Sequence, residues 1–223
     1  MTRIALIHAV TAAMQPVENS FRTHWNEARR TNLLDDALAP DREQAGRLTP
    51  ELSERIVLLA KYAVASSADG VLFTCSAFGG AIEQAAASLP KPVLKPNEAM
   101  FEAALESGQR IGMLATFAPA VASMEQEFKE MAERRSVSAS LETLLVRGAR
   151  EALVAGDFKK HCGLIANAVG ALDSCDAIML AHFSMGDAAP EARAASRRPI
   201  LTAPDSAVLK LRSLLTQPSA DLT

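Results

Sequence analysis

The chain has 223 residues, 49% hydrophobic and 22% charged, a balance that excludes a disordered or fibrous protein. Its apolar runs, such as residues 56–60 and 178–181, fall far short of the roughly 20 residues that cross a bilayer, so no membrane partner is expected. A net charge of −3 with scattered arginine pairs argues against a nucleic-acid surface, and 3 distant cysteines exclude a disulfide framework or a zinc motif.

The N-terminus shows no signal-peptide pattern, so a cytoplasmic protein is expected. Residues 4–7 form a short apolar strand, and Leu33-Leu34 begins a second, weaker one. Leu52, Ile56, Leu59, Ala60 and Ala63 are spaced for a helix over 52–66. A strand over 71–74, a helix over 81–89 and a strand at Val93-Leu94 follow. The second half repeats the alternation: strand 111–114, helix 118–133, strand 141–146, helix 164–172, and strands 178–181 and 200–201. A last helix spans 207–215.

The two halves match at a constant offset of 107 residues. Arg3-Ile4-Ala5-Leu6-Ile7 overlies Arg110-Ile111-Gly112-Met113-Leu114, and Ser67–Phe73 overlies Ser174–Leu180 in the same register. Pro92-Val93-Leu94 overlies Pro199-Ile200-Leu201 without a gap. Short, continuously apolar strands alternating with helices predict an α/β fold with parallel sheets covered on both faces. We expect two similar doubly wound halves related by pseudo-twofold symmetry, with the site in the cleft between them. The first half is expected over 1–98 and the second over 99–203, with a C-terminal helix over 204–217 packing back on the first.

Ligands of open parallel sheets bind beyond the carboxyl ends of the strands. There the first half places Thr74-Cys75-Ser76-Ala77-Phe78-Gly79 and the second Ala181-His182-Phe183-Ser184-Met185-Gly186, so Cys75 overlies His182. A cysteine between a strand and a helix starting near Ala77 is surrounded by backbone N–H groups, which favour the thiolate and an anionic substrate group. The competing reading is a small buried apolar residue. For His182 the competing reading is a satisfied structural histidine. His8 and Thr116 also fall at strand ends, where they could bind substrate; Lys95 could pair with a carboxylate, but a solvated surface lysine is the safer reading. Cys162 and Cys175 read as structural, and His161 and His24 as exposed helix residues. Phe78, Phe117, Phe183 and Met185 are candidates for shaping an apolar side-chain pocket. No GxGxxG turn, P-loop or histidine–carboxylate cluster is present, so neither cofactor nor metal is expected.

In Thr74-Cys75-Ser76, Asn32-Leu33-Leu34-Asp35-Asp36, Gly112-Met113-Leu114-Ala115-Thr116 and 176–185, the chain resembles the Asp/Glu/hydantoin racemase superfamily. That superfamily holds cofactor-independent amino-acid racemases, maleate isomerases and arylmalonate decarboxylases. The resemblance implies the two-halved fold and a reaction in which one cysteine of each half flanks the substrate's α-carbon. Cys75 matches the first cysteine. Where a Leu-Gly-Cys-Thr pattern is implied for the second, this chain has Leu180-Ala181-His182-Phe183, and Ala120 stands where a threonine is frequent. An imidazole titrating near neutrality could replace the second thiol.

The sequence therefore favours a cofactor-independent racemase or epimerase working next to a carboxylate, with Cys75 and His182 catalytic. Substrate-binding residues are expected at His8, Thr74, Ser76, Ala77, Thr116, Phe117, Phe183 and Ser184. A decarboxylase or cis–trans isomerase using one thiol is one alternative, and a carboxylate-binding protein without turnover another. A cysteine hydrolase is weaker, because groups facing each other across a cleft are too far apart for direct activation. The expected partner is a small carboxylate-bearing substrate, and the build is compatible with a homodimer.

Overall fold

The computed structural model describes residues 1–216, so residue 217 of the expected terminal helix lies outside the described residues. The chain divides into two compact units: Met1–Pro96 with the chain from Ala207 onward, and Asn97–Ser206. Among the described residues no helix is long and apolar enough to cross a membrane.

The first unit runs β1 (Arg3–His8), α1 (Met14–His24), β2 (Arg29–Leu34), α2 (Leu38–Ala45), α3 (Pro50–Ala65), β3 (Gly70–Phe73), α4 (Gly79–Ser88) and β4 (Val93–Leu94). Its sheet is parallel throughout, in the order β2-β1-β3-β4. β1 and β3 are buried along their apolar residues, as central parallel strands must be when helices cover both faces. α3 starts where Thr49 accepts a hydrogen bond from Leu52 N at 3.3 Å, with Pro50 in the first turn. Leu52, Ile56, Ala60 and Ala63 then lie on one buried stripe against Ile7, Val71 and Phe73. α2 ends at Gly46, whose φ of 66° is the left-handed conformation that stops a helix without a Cβ penalty.

The second unit runs α5 (Glu98–Ser107), β5 (Arg110–Ala115), α6 (Ala118–Arg134), β6 (Ser140–Leu145), α7 (Ala149–Val154), α8 (Phe158–Ala168), β7 (Ala177–Leu180), α9 (Ala189–Ala195) and β8 (Ile200–Thr202). α10 (Ala203–Thr216) begins in this unit and from Ala207 belongs to the first. There Leu211 and Leu215 come within 3.0 Å of where a Cβ on Gly70 would sit. The second sheet is also parallel, in the order β6-β5-β7-β8.

The internal repeat is visible bond by bond. Ile4 pairs with Gly70 and Ile111 with Ala177; Val71 pairs with Val93 and Ile178 with Ile200. Arg3 N donates to Asp69 Oδ2 at 2.9 Å, and Arg110 N to Asp176 Oδ2 at 2.8 Å. Thr74 N donates to Ile7 O at 3.0 Å, and Ala181 N to Leu114 O at 3.0 Å. The second strands break the constant offset: Asn32 lies opposite Leu6, but Thr143 rather than Ala139 lies opposite Met113.

Several expectations need correction. β2 ends at Leu34 instead of starting near it, because an edge strand exposes much of its length and so lacks a continuous apolar run. The helix after Cys75 begins at Gly79, preceded by a 3-10 turn over Ser76–Phe78. Phe78 and Met185 pack into the cores of their respective units. Lys95 is mostly covered and pairs with Glu83 at 2.5 Å. His161 is buried, bonded to backbone carbonyls.

Candidate functional site

In the first unit, β1 ends at His8 and β3 at Phe73, which brings Thr74 beside His8. His8 is fully buried. Its Nδ1 lies 2.9 Å from Thr74 Oγ1 and its Nε2 lies 2.9 Å from Asn32 Oδ1. With Asn32 Oδ1 as acceptor, the ring proton sits on Nε2. The Thr74 hydroxyl then donates to Nδ1 in preference to Ile7 O, which is 3.4 Å away. Burial pushes the His8 pKa down, against the smaller effect of the Asn32 bond, so the neutral ring with one donor and one acceptor suits the site. His8 thus holds Thr74 and offers no free nitrogen.

Cys75 follows directly, half-buried, with its backbone extended at the entry to the 3-10 turn. Burial raises its thiol pKa above the usual value, outweighing the Ala77 backbone N–H and the Arg42 guanidinium, which both favour the thiolate. The expected acidification does not occur, because burial of the thiol outweighs the donors around it. Ser76 is half-buried and Ala77 exposed.

In the second unit, Thr116 and Phe117 follow β5 and are half-buried, while Ala181 and His182 follow β7. His182 precedes a 3-10 segment over Phe183–Ala188, and its carbonyl accepts from Met185 N at 2.9 Å. Phe183 is buried and Ser184 half-buried. His182 Nε2 is sealed from solvent and has no hydrogen-bond partner. Burial, and secondarily the Arg150 charge, push its pKa down to about 4. The imidazole is therefore neutral at pH 7, instead of titrating near neutrality.

Sequence reasoning missed Asn32, Arg42 and Arg150. Arg42, on α2, donates from Nε to Ala77 O at 3.3 Å. Arg150, on α7, places its guanidinium carbon 4.0 Å from the Phe117 ring centroid. Both helices follow the second strand of their unit, and both arginines act on the second residue past the third strand. The repeat does not superpose the two arginines, since the constant offset sets Arg42 over Ala149.

The model of the Asp/Glu/Hydantoin racemase family matches residues 5–157, and the chain belongs to that family. No curated protein matches the chain by sequence. Among solved structures, it is similar to aspartate racemase from Picrophilus torridus, with a TM-score of 0.74 and 14% identity over 98% of this chain and 96% of that one. It is similar also to allantoin racemase from Pseudomonas fluorescens, with a TM-score of 0.67 and 17% identity over 100% and 99%. A mutant of arylmalonate decarboxylase gives a TM-score of 0.64 and 18% identity over 94% and 92%. At these identities the likeness is one of fold.

Proposed function

We propose that the protein is a cofactor-independent racemase or epimerase acting at the carbon next to a carboxylate, with Cys75 and His182 as its proton-transfer groups. One observation carries this reading. Cys75 and His182 occupy equivalent places, each one residue past the amide that closes the third-strand ladder of its unit. Family membership supports the reaction class, and the substrate is expected to be a small carboxylate-bearing molecule.

The protonation states supply the direction. At neutral pH the raised Cys75 pKa keeps the thiol protonated, and the lowered His182 pKa keeps the imidazole neutral. One residue is an acid and the other a base. In one direction the α-C–H bond breaks, the proton goes to the imidazole, and the electron pair spreads into the carboxylate as an enolate. The Cys75 S–H then protonates the opposite face of that carbon, leaving a thiolate and an imidazolium that must return to thiol and neutral imidazole before the next turnover in this direction. The reverse direction starts from thiolate and imidazolium, the minority form. A base this weak needs the enolate to be stabilised by donors fixed beforehand. Ser76, Ala77, Thr116, Phe117, Phe183 and Ser184, through hydroxyls, backbone N–H groups or apolar contact, are the residues we assign to binding. His8 and Thr74 act behind Cys75: the bond between them fixes the residue that precedes the thiol.

The test is incubation with a panel of chiral carboxylic acids in deuterated water, followed by NMR and chiral chromatography. Solvent deuterium at the α-carbon with loss of optical purity is the expected result. Release of carbon dioxide from malonate-like acids without α-exchange of chiral monoacids would replace this reading with the decarboxylase.

A further inference from the structure

One buried titratable side chain of the second unit takes no part in these proton transfers. His161, on α8, is 1% exposed. Its Nδ1 lies 2.7 Å from Ala149 O, and its Nε2 3.3 Å from Ser184 O. Both neighbours are carbonyl oxygens, so the ring acts only as a donor: the neutral ring through Nδ1 to Ala149, and the imidazolium to both.

The two carbonyls belong to segments that matter for His182. Ala149 opens α7 and precedes Arg150, whose charge acts on His182. Ser184 lies in the 3-10 segment that His182 introduces. Such segments have poor internal hydrogen-bond geometry and depend on outside ties. α8 packs against both α7 and this segment, which puts His161 at their junction. His182 Nε2, meanwhile, is dry and unpartnered, an arrangement that lasts only while the surrounding loop is held in place.

We propose that His161 is a positioning residue, a strut joining the start of α7 to the loop that carries His182, which keeps water from His182 Nε2. Its catalytic consequence rests on the racemase reading; the strut itself does not.

The experiment is an NMR titration of the full chain with 15N-labelled histidine, comparing wild type with His161→Phe, His161→Asn and His161→Gln. In His161→Phe both contacts are gone, water reaches Nε2, and the His182 midpoint moves up from about 4 by at least one pH unit. His161→Asn, whose amide can still donate to Ala149 O, shows a smaller rise and recovers most of kcat, with KM little changed throughout. An unmoved His182 midpoint in folded His161→Phe overturns the strut. If that variant does not fold, His161→Gln, which loses the shorter bond, decides: no rise overturns the proposal. The titration needs no turnover. Absent deuterium exchange in the wild type therefore counts against the racemase alone, and an unmoved midpoint against the strut alone.

Discussion

The two units share a ladder and differ at the polar ends of their strands. In the first, His8, Thr74 and Asn32 form a closed hydrogen-bonded set behind Cys75. In the second, Ala115, Ala181 and Thr143 hold the equivalent places, and no such set forms. Thr143 Oγ1 and His182 Nε2 are instead sealed without partners. Sheet order and register survive the exchange, so apolar burial is what fixes the fold. The polar set is a local addition that serves the thiol. Satisfied groups sit behind Cys75 and unsatisfied ones accompany His182, and departures from complete hydrogen bonding are expected to mark function.

Removing Cys75 and His182 in turn tests the proposed division of roles most severely. Cys75→Ala and His182→Ala should each lower racemisation by about 10²- to 10⁴-fold, the usual contribution of a general acid or base. Each variant should still exchange the α-proton of one enantiomer only, and a different one in each. If Cys75→Ala exchanges both enantiomers with solvent, the assignment of acid and base to separate units fails.

Acid stability gives the next largest effect. The folded chain holds the His182 pKa at about 4, against 6.5 for an ordinary histidine. As pH falls below 6.5 the unfolded chain takes up a proton that the folded chain refuses, so stability drops until about pH 4. At 1.36 kcal/mol per pH unit the loss is about 3 kcal/mol. Urea unfolding from pH 7 to 4 should therefore show wild type losing that much more than His182→Phe. His8 is shifted in the same direction and contributes to both proteins, so the difference isolates His182. Parallel pH curves for the two proteins would show that burial does not hold the imidazole neutral.

His8→Leu attacks the closed set from its centre. It leaves the Thr74 hydroxyl without its nearest acceptor and should cost about 1–3 kcal/mol of unfolding free energy. Activity should fall with it, because the chain just before Cys75 loses its anchor. A stability change near zero by chemical denaturation would mean that the set adds nothing to the first unit.

Much of this was legible in the sequence. The repeat placed both central strands, the parallel sheets and the equivalence of Cys75 with His182, because buried strands need unbroken apolar runs that survive in one register. The edge strand β2 was read short, since Arg29-Arg30-Thr31-Asn32 is exposed and gives no apolar signal. Electrostatics were not legible. Nothing local to Cys75 or His182 says that burial outweighs a turn's N–H groups or carries an imidazole far from neutrality. The polar partners were hidden as well: Asn32 and Thr74 reach His8 from different strands, and His161 reads as an exposed helix residue until its two carbonyls are seen.

The smallest expected effect is the most discriminating, because one substitution should have opposite signs in the two units. Thr74→Val removes the hydroxyl that donates to His8 Nδ1 at 2.9 Å, leaves that nitrogen without a donor, and should destabilise by about 1 kcal/mol. Thr143→Val removes a hydroxyl that has no partner, at a strand position where a β-branched apolar side chain of nearly the same volume fits. Losing an unsatisfied buried hydroxyl relieves a desolvation cost, so this variant should be neutral or more stable by up to about 1 kcal/mol. Paired thermal and urea unfolding of the two variants reads the sign directly. Destabilisation of both to the same extent would mean that the Thr143 hydroxyl is bonded in solution, and the contrast between the bonded strand ends of the first unit and the unbonded ones of the second would then have to be given up.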